Sequence, residues 1–276
     1  MSTRARWPSA GGGWTSPIFL AVTVISPHLA FAENEAARAD SACRPATFAS
    51  GFAGHIVDGR TFVLQDGREV RLAGIEAPAE GAAAAQARQQ LERLLGDKAI
   101  LLKGFPGRDR YGRLVAQVFR VEGDGERWVQ PELLATGHAR LAGRVGDRAC
   151  AAALVIHERS ARGAALGLWS DPYYGLHRAE EPAAVAAERG RFAIVEGNVL
   201  SVRESGGTIY VNFGRRWSED FTVTIAKRNE RTFAAAGLEP KSFAGRRVRV
   251  RGWIEERGGP WVEATRPEQI ELMERN

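Results

Sequence analysis

The sequence is poor in cysteine, methionine and histidine, and each scarcity narrows what the protein can do. It has two cysteines, two methionines and five histidines in 276 residues, which leaves few side chains for binding a transition metal. His55, His138, His157 and His177 stand without acidic or cysteine neighbours at ligand spacing. We therefore predict that they are surface or packing residues.

Common catalytic motifs are also missing. The chain has no G-x-S-x-G nucleophile elbow, no G-x-x-x-x-G-K-[ST] phosphate loop and no H-E-x-x-H zinc-binding helix. Neither sign of charge dominates, because the chain has 38 basic and 33 acidic residues. A net charge of +5 permits a polyanionic partner without requiring one.

The first 32 residues have the pattern of a secretory signal. Arg4 and Arg6 give a positive start, residues 17–26 are apolar, and residues 30–32 read A-F-A, as at a cleavage site. An uncleaved anchor is the alternative, but the apolar run is shorter than the roughly 20 residues of a spanning helix. No later segment is apolar enough to span a membrane. We expect a secreted or periplasmic protein with no membrane span once the signal is removed.

Both cysteines lie after the predicted cleavage site. An isolated pair outside a reducing cytosol usually forms a disulfide, so we predict that Cys43 bonds to Cys150. Closing so long a loop would stabilise the fold by roughly 4–5 kcal/mol in the chain-entropy model. Two buried free thiols are the alternative.

The middle of the chain predicts a first, mixed domain over residues 51–171, preceded by a polar tether at 33–50. Strand patterns occur on both sides of Asp66-Gly67, which is typical of a two-residue hairpin turn. An Ala-rich helix follows, with Ala87, Leu91, Leu94 and Leu95 on one face and a stop at Gly96. Five strands with helices interspersed predict a small barrel of the OB type.

The rest of the chain predicts a second domain. Residues 172–190 have no sustained apolar periodicity and contain Pro172 and Pro182, so we predict a linker there. From residue 191 on, five strand patterns with one helix between the third and the fourth predict a second OB-like barrel. The expected fold is therefore mainly β with helices, an α+β protein with two barrels.

One group of polar residues indicates a phosphate-handling site. Arg71 lies in the strand "REVRL", Asp109, Tyr111 and Arg113 lie in "RDRYGRL", and Asp58 begins "DGRT". With "VRLAGIEAP", "ELLATGHA" and a helix ending "GLW", these motifs resemble the thermonuclease family, also called staphylococcal-nuclease-like, over roughly residues 51–171. The resemblance implies a five-stranded OB barrel with three helices. It also implies hydrolysis of nucleic-acid phosphodiesters with two arginines, a glutamate base and a carboxylate-bound Ca²⁺.

The resemblance assigns some of these roles to residues of this chain. Arg71 and Arg113 match the two arginines that contact the scissile phosphate, a task suited to guanidinium groups, which bind phosphate oxygens two at a time. Tyr111 stands beside them as a further phosphate-site candidate. Glu76 and Asp58 match carboxylates of the metal site.

Other positions depart from the family pattern. D-G-D-T reads here Asp58-Gly59-Arg60-Thr61, which places a positive charge where a Ca²⁺ ligand is expected. The position of the general base is Ala79, and Glu80 lies one residue late. Glu80 is either a displaced base or a solvated acid at a helix N-terminus, where its charge suits the helix dipole.

Two interpretations of Arg60 remain open. In the first interpretation, Arg60, Arg71 and Arg113 form an anion-binding site that needs no metal. In the second, Arg60 pairs with Glu76 and only stabilises the remnant of a metal site. We predict that the protein binds nucleic acid or nucleotide phosphate with little or no calcium-dependent cleavage. An active secreted nuclease that uses Glu80, and a non-catalytic periplasmic protein-interaction module, are the alternatives.

The second domain adds a weaker indication. Arg247, Arg249 and Arg251 alternate with valines in "GRRVRVRGW", and a loop carries Arg215, Arg216 and Trp217. Basic residues beside aromatic ones are typical of single-strand binding, but acidic neighbours make a protein partner an equal alternative.

Overall fold

The computed structural model describes residues 27–143 and 145–273. Most of the predicted signal segment lies outside these residues, and its A-F-A pattern at 30–32 falls within the first helix. Within the described part of the chain, no helix is both long and apolar enough to cross a membrane.

The first domain contains eight strands and four helices. In chain order these are α1 (Pro27–Ala42), β1 (Thr47–Asp58), β2 (Thr61–Leu64), β3 (Glu69–Leu72), β4 (Ile75–Glu76), α2 (Gly81–Leu95), β5 (Ala99–Lys103), β6 (Leu114–Glu122), β7 (Gly125–Trp128), α3 (Val129–Ala135), β8 (Arg140–Leu141) and α4 (Arg148–Gly163).

The barrel of this domain is closed by five strands. The main sheet has the order β3-β2-β1-β5-β6-β7, and an additional pairing of β3 with β6 joins its two sides. Strands β1, β2, β3, β6 and β5 therefore form a ring, to which β7 adds an extension. This confirms the predicted five-stranded barrel.

Local sequence explains how the barrel is built. The hairpin between β2 and β3 is present, but the predicted two-residue turn is wrong: three residues, 65–67, separate Leu64 from Arg68, whose backbones are hydrogen-bonded. Gly67, with a φ of +85°, is the left-handed residue that such a three-residue loop requires, and the loop sets a register in which Thr61 lies opposite Arg71. The predicted apolar face of α2 is confirmed, because its four residues are the buried ones of that helix and its three leucines pack into the barrel core. The register matters for function because it brings Arg60 beside Arg71.

A disulfide joins the start of the domain to its last helix. Cys43, just after α1, bonds to Cys150 in α4, as the sequence predicted. Residues 33–50 differ from the polar tether that we expected, since α1 extends to residue 42 and β1 begins at residue 47. The Ala-rich composition favours a helix there, and the disulfide holds its end against α4.

The second domain contains nine strands and two α-helices. These are β9 (Leu176–Arg178), α5 (Pro182–Ala186), β10 (Phe192–Asn198), β11 (Ser201–Ser205), β12 (Thr208–Asn212), β13 (Thr222–Ala226), α6 (Glu230–Ala235), β14 (Arg247–Trp253), β15 (Glu255–Arg257), β16 (Gly259–Glu263) and β17 (Ile270–Leu272).

Two sheets of this domain enclose one core. Their strand orders are β17-β14-β10-β9 and β11-β12-β13-β16-β15. Three of the predicted strands are each divided in two, because the chain passes from one sheet to the other at residues 199–200, 254 and 264–269. The paired sheets are consistent with a barrel-like domain.

Residues 172–190 differ from the linker that we expected. Strand β9 pairs in parallel with β10, and helix α5 buries Val185 completely in the core of the second domain. The segment lacks apolar periodicity because a three-residue edge strand and a five-residue helix are too short to display one.

Buried charges join the two domains. The side chain of Arg251 on β14 is fully buried; its Nη1 donates to Glu158 Oε2 on α4 over 2.7 Å and to the carbonyl of Leu141 over 3.0 Å. Its Nη2 pairs with Glu271. Arg249, 7 % exposed, pairs with Glu196 and Glu271. The alternation seen in the sequence is present, but these two arginines form internal ion pairs and not a basic outer surface.

Candidate functional site

Two arginines share one carboxylate at the rim of the first barrel. Arg71, on β3, donates through Nη2 to Glu76 Oε1 over 2.8 Å, and Arg60 pairs with the other oxygen of Glu76. The side chains of Arg60, Arg71 and Glu76 are 17 %, 23 % and 11 % exposed. The carboxylate thus fixes both guanidinium groups while leaving each partly accessible to solvent.

The turn before β2 places Arg60 in this cluster. The Asp58 carboxylate accepts the backbone N–H of Arg60 over 2.8 Å, which is a local turn bond of an aspartate two residues back. Gly59 is needed because a Cβ there would lie 2.6 Å from the Cβ of Ala87 and 2.9 Å from that of Ala77. The turn therefore lies directly against helix α2, with Arg60 beside Glu76.

Arg113 is positioned by its own loop. Asp109 accepts from Arg113 Nε over 2.8 Å and from the backbone N–H groups of Tyr111 and Arg113. The exposed ring of Tyr111 lies 5.0 Å from the Arg113 guanidinium. Burial favours a higher pKa for Asp109. The hydrogen bond from the Arg113 side chain and the two bonds from backbone N–H groups outweigh that effect and keep the pKa below its usual value.

The three arginines influence one another electrostatically. Burial lowers the pKa of Arg60 to about 10, and repulsion by Arg71 and then by Arg113 contributes to this decrease. The nearby carboxylate of Asp58 acts in the opposite direction. Arg60 is still charged at neutral pH, so the rim has a partly dehydrated positive charge that an anion would stabilise.

The calcium site that the resemblance implies does not fit these side chains. Ca²⁺ takes 6–8 oxygen ligands. Both oxygens of Glu76 bind guanidinium groups, Asp58 is engaged by the turn, and Arg60 adds a positive charge. Across residues 27–143 and 145–273, no cluster of three or more His, Cys, Asp or Glu side chains could hold a metal ion.

Glu80 is exposed and occupies the N-cap position of α2, where its side chain makes no capping hydrogen bond. Among the described residues it forms no ion pair with Arg60 or Arg113. The structure thus brings together Asp58, Arg60, Arg71 and Glu76, with Arg113 and Tyr111 nearby, while Glu80 is not bonded to this group.

The fold and this cluster define the first domain as an OB-type barrel with a guanidinium–carboxylate site at its rim. Residues 69–171 match the family model described as staphylococcal nuclease homologue, so the chain contains a domain of that family. The match includes Arg71, Glu76 and Arg113 but begins after Asp58 and Arg60. It supports a function related to nucleases or nucleic acids in general. No curated protein matches the chain.

Sequence reasoning did not identify Glu158 or Arg140, which lie near the site on the side of the second domain. Arg140, on β8 next to the Glu76 strand, donates to the carbonyl of Phe192 over 3.0 Å, and its burial lowers its pKa to about 10. Both residues look like ordinary surface charges in the sequence. Glu158 has local partners in Leu141 and Arg162, but its contact with Arg251 and the contact of Arg140 with Phe192 cross to the other domain, which no local pattern could have revealed.

Proposed function

We propose that the first domain binds phosphate groups of nucleic acid or nucleotides through Arg60, Arg71 and Arg113 without calcium. The observation that carries this proposal is the shared carboxylate of Glu76, which holds the partly exposed guanidinium groups of Arg60 and Arg71 side by side. The lowered pKa of Arg60, caused by burial and then by its arginine neighbours, supports it. Three partly accessible guanidinium groups that repel one another gain from an anion placed between them.

The pairing of Arg60 with Glu76 bears on both interpretations of Arg60. The contact itself is what a stabilising role requires. It also turns the guanidinium groups of Arg60 and Arg71 toward a common carboxylate, and their partial exposure lets a phosphate approach both from the solvent side. The interpretations differ in ligand binding, which is what an experiment must measure.

Cleavage lacks two of the groups that the family chemistry uses. Ala79 has no proton acceptor, and a base must come within about 3 Å of its water. Arg60 supplies a fixed charge where a metal would polarise the phosphate. Binding with weak or no calcium-dependent cleavage is therefore the function that these residues favour. The disulfide supports an exported, secreted or periplasmic location, because such bonds persist in oxidising compartments.

The test combines binding with digestion. Fluorescence anisotropy of a labelled single-stranded oligonucleotide should give the same dissociation constant with calcium and with EDTA. Denatured DNA and RNA should remain intact with calcium, with other divalent ions and with chelator. Loss of binding in EDTA would contradict the metal-free site. Calcium-dependent cleavage that Arg113→Ala abolishes would instead support an active nuclease, and binding to neither nucleic acid nor nucleotide would favour a protein-interaction module.

A further inference from the structure

A groove on the second domain has the composition of a nucleic-acid site separate from the arginine cluster. It lies on the outer face of the five-stranded sheet and encloses about 810 Å³, a volume typical of ligand sites. We propose that this groove binds single-stranded nucleic acid, with arginines on the phosphates and aromatic rings against the bases.

Strand alternation creates the two faces of this sheet. On β12, Ile209 and Val211 point into the core and are 1 % exposed, while Tyr210 points outward and is 36 % exposed. The strand pairing sets Arg203 of β11 and Thr224 of β13 on either side of Tyr210. One row of the groove therefore runs from a cation, across an aromatic ring, to a hydroxyl group.

A second row supplies the floor. Thr222 of β13 pairs with Asn212 on one side and with Trp261 of β16 on the other. Trp261 is 4 % exposed; its Nε1–H donates to Thr224 Oγ1 over 2.8 Å, which fixes the indole ring in the floor. The guanidinium of Arg257 lies 3.8 Å from the centre of that ring and covers it with an exposed planar cation.

One polar atom in the floor lacks an internal partner. Thr222 is 8 % exposed, and its Oγ1 makes no hydrogen bond with any described residue. A buried hydroxyl without a partner is costly and uncommon in folded proteins. This oxygen is itself enclosed, so it marks a polar position in the groove floor that the fold leaves without a hydrogen bond.

The loop after β12 forms a wall with an exposed aromatic ring. Trp217 is 72 % exposed, and its ring packs beside Gly258, where the β15–β16 turn has a φ of +86° and a Cβ would lie 3.3 Å from the ring. Arg215 lines the groove from the same loop. A large exposed indole next to a cation is a stacking platform suited to unpaired bases.

The charges of the lining favour an anionic occupant. Arg203, Arg215 and Arg257 line the groove, and none of them forms an ion pair with a described residue. Glu263 is the only carboxylate among the lining residues. Three cations, exposed aromatic rings and a hydroxyl-lined floor suit a single strand better than a neutral glycan or an apolar peptide.

The test measures affinity of the full chain for a fluorescein-labelled oligothymidylate of twelve nucleotides. Trp217→Ala should weaken binding by about tenfold, since stacking on an aromatic ring contributes that much per base. Trp253→Ala is the matched control, because Trp253 is also exposed, at 52 %, but lies outside the groove. Equal affinities of the two variants would overturn the proposal.

A charge-matched pair of variants tests the arginines. Arg215→Gln with Arg257→Gln should weaken binding by at least about tenfold and reduce the slope of log affinity against log salt by about 2. Arg178→Gln with Arg189→Gln removes the same charge from exposed positions outside the groove and should change affinity less than threefold, which is roughly the effect of net charge alone. Equal losses would show that net charge, and not the groove, binds the strand.

Two further measurements separate this site from other ligands and from the first domain. Inorganic polyphosphate at equal phosphate concentration should compete less well than unlabelled oligothymidylate, and equal competition would overturn the stacking assignment. Arg113→Gln reports on the first domain. If only that variant weakens binding, the groove proposal fails while the proposed function stands, and the reverse result would reject the first site and retain the groove.

Discussion

Arginines are held in opposite ways in the two domains. At the rim of the first barrel, Arg60 and Arg71 share one carboxylate, and repulsion helps to lower the pKa of Arg60. At the boundary of the domains, Arg251 alone binds two carboxylates, Glu158 and Glu271. The same kind of side chain is thus partly accessible to solvent in one place and fully enclosed between carboxylates in the other.

This difference shows that the function of an arginine cannot be predicted from the sequence alone, because it depends on the partners that the fold provides. A buried guanidinium with two carboxylates has little capacity left for a ligand, and its role is to keep the surrounding charges paired. A rim guanidinium that shares a carboxylate retains donors for an anion. The two groups should therefore respond differently to substitution, one in stability and the other in binding.

The largest effect is expected from Arg251→Met. The substitution removes the cation that Glu158 and Glu271 share, and breaking a buried pair costs about 3–5 kcal/mol when the partner is left unpaired. Because Glu158 keeps Arg162 and Glu271 keeps Arg249, we expect a loss at the lower end of that range, about 3 kcal/mol. Urea unfolding should show that loss in the free energy of unfolding. The control is Arg247→Met on the same strand, whose side chain is 60 % exposed, so the loss should stay below about 1 kcal/mol. Similar small losses in both would mean that the boundary does not depend on this ion network.

The second effect concerns binding. Arg60→Gln should weaken binding of a single-stranded oligonucleotide to the first domain by about tenfold, because one phosphate contact is lost. Unfolding should change by less than about 1 kcal/mol, since Glu76 keeps its bond from Arg71. Arg68→Gln, an exposed arginine of the nearby hairpin that pairs with Asp66, is the control and should leave binding unchanged. A loss of stability without a loss of binding would show that Arg60 has only a structural role.

Much of the first domain was predictable because its signals are local. The hairpin at Asp66-Gly67, the apolar face of α2 and the disulfide of the isolated cysteine pair each depend on neighbouring residues or on simple counting, and all three are present. Only the length of the hairpin loop was wrong, since it has three residues and not two. The spacing of Arg71 and Arg113 on known motifs identified a domain that the family match confirms.

The second domain was harder to predict, because its main features depend on contacts between residues that are distant in the sequence. The alternation of Arg249 and Arg251 was read correctly, but their burial depends on residues such as Glu158, which is 93 positions from Arg251. Residues 172–190 looked like a linker because their elements are short. Of the groove, the sequence revealed only the loop with Arg215 and Trp217. Arg203, Tyr210 and Thr222 come from three strands, and only the pairing of those strands makes them one surface.

The smallest effect expected is on the pH dependence of oligonucleotide affinity, which should distinguish Arg60 at the barrel rim from an ordinary arginine. The pKa of Arg60 is lowered to about 10 in the folded protein, so this group loses its proton earlier than an ordinary arginine as the pH rises. Oligonucleotide affinity of the first domain, measured in a chain whose groove carries Trp217→Ala, should stay constant between about pH 7 and 9 and then fall as Arg60 becomes neutral. When Arg60→Gln is added to Trp217→Ala, the guanidinium of Arg60 is absent, so the part of the fall in affinity near pH 10 that Arg60 causes should disappear. Changes in affinity caused by lysines should remain in both proteins. The difference between the two profiles isolates Arg60, and coincident profiles would show that its charge does not act on the bound phosphate.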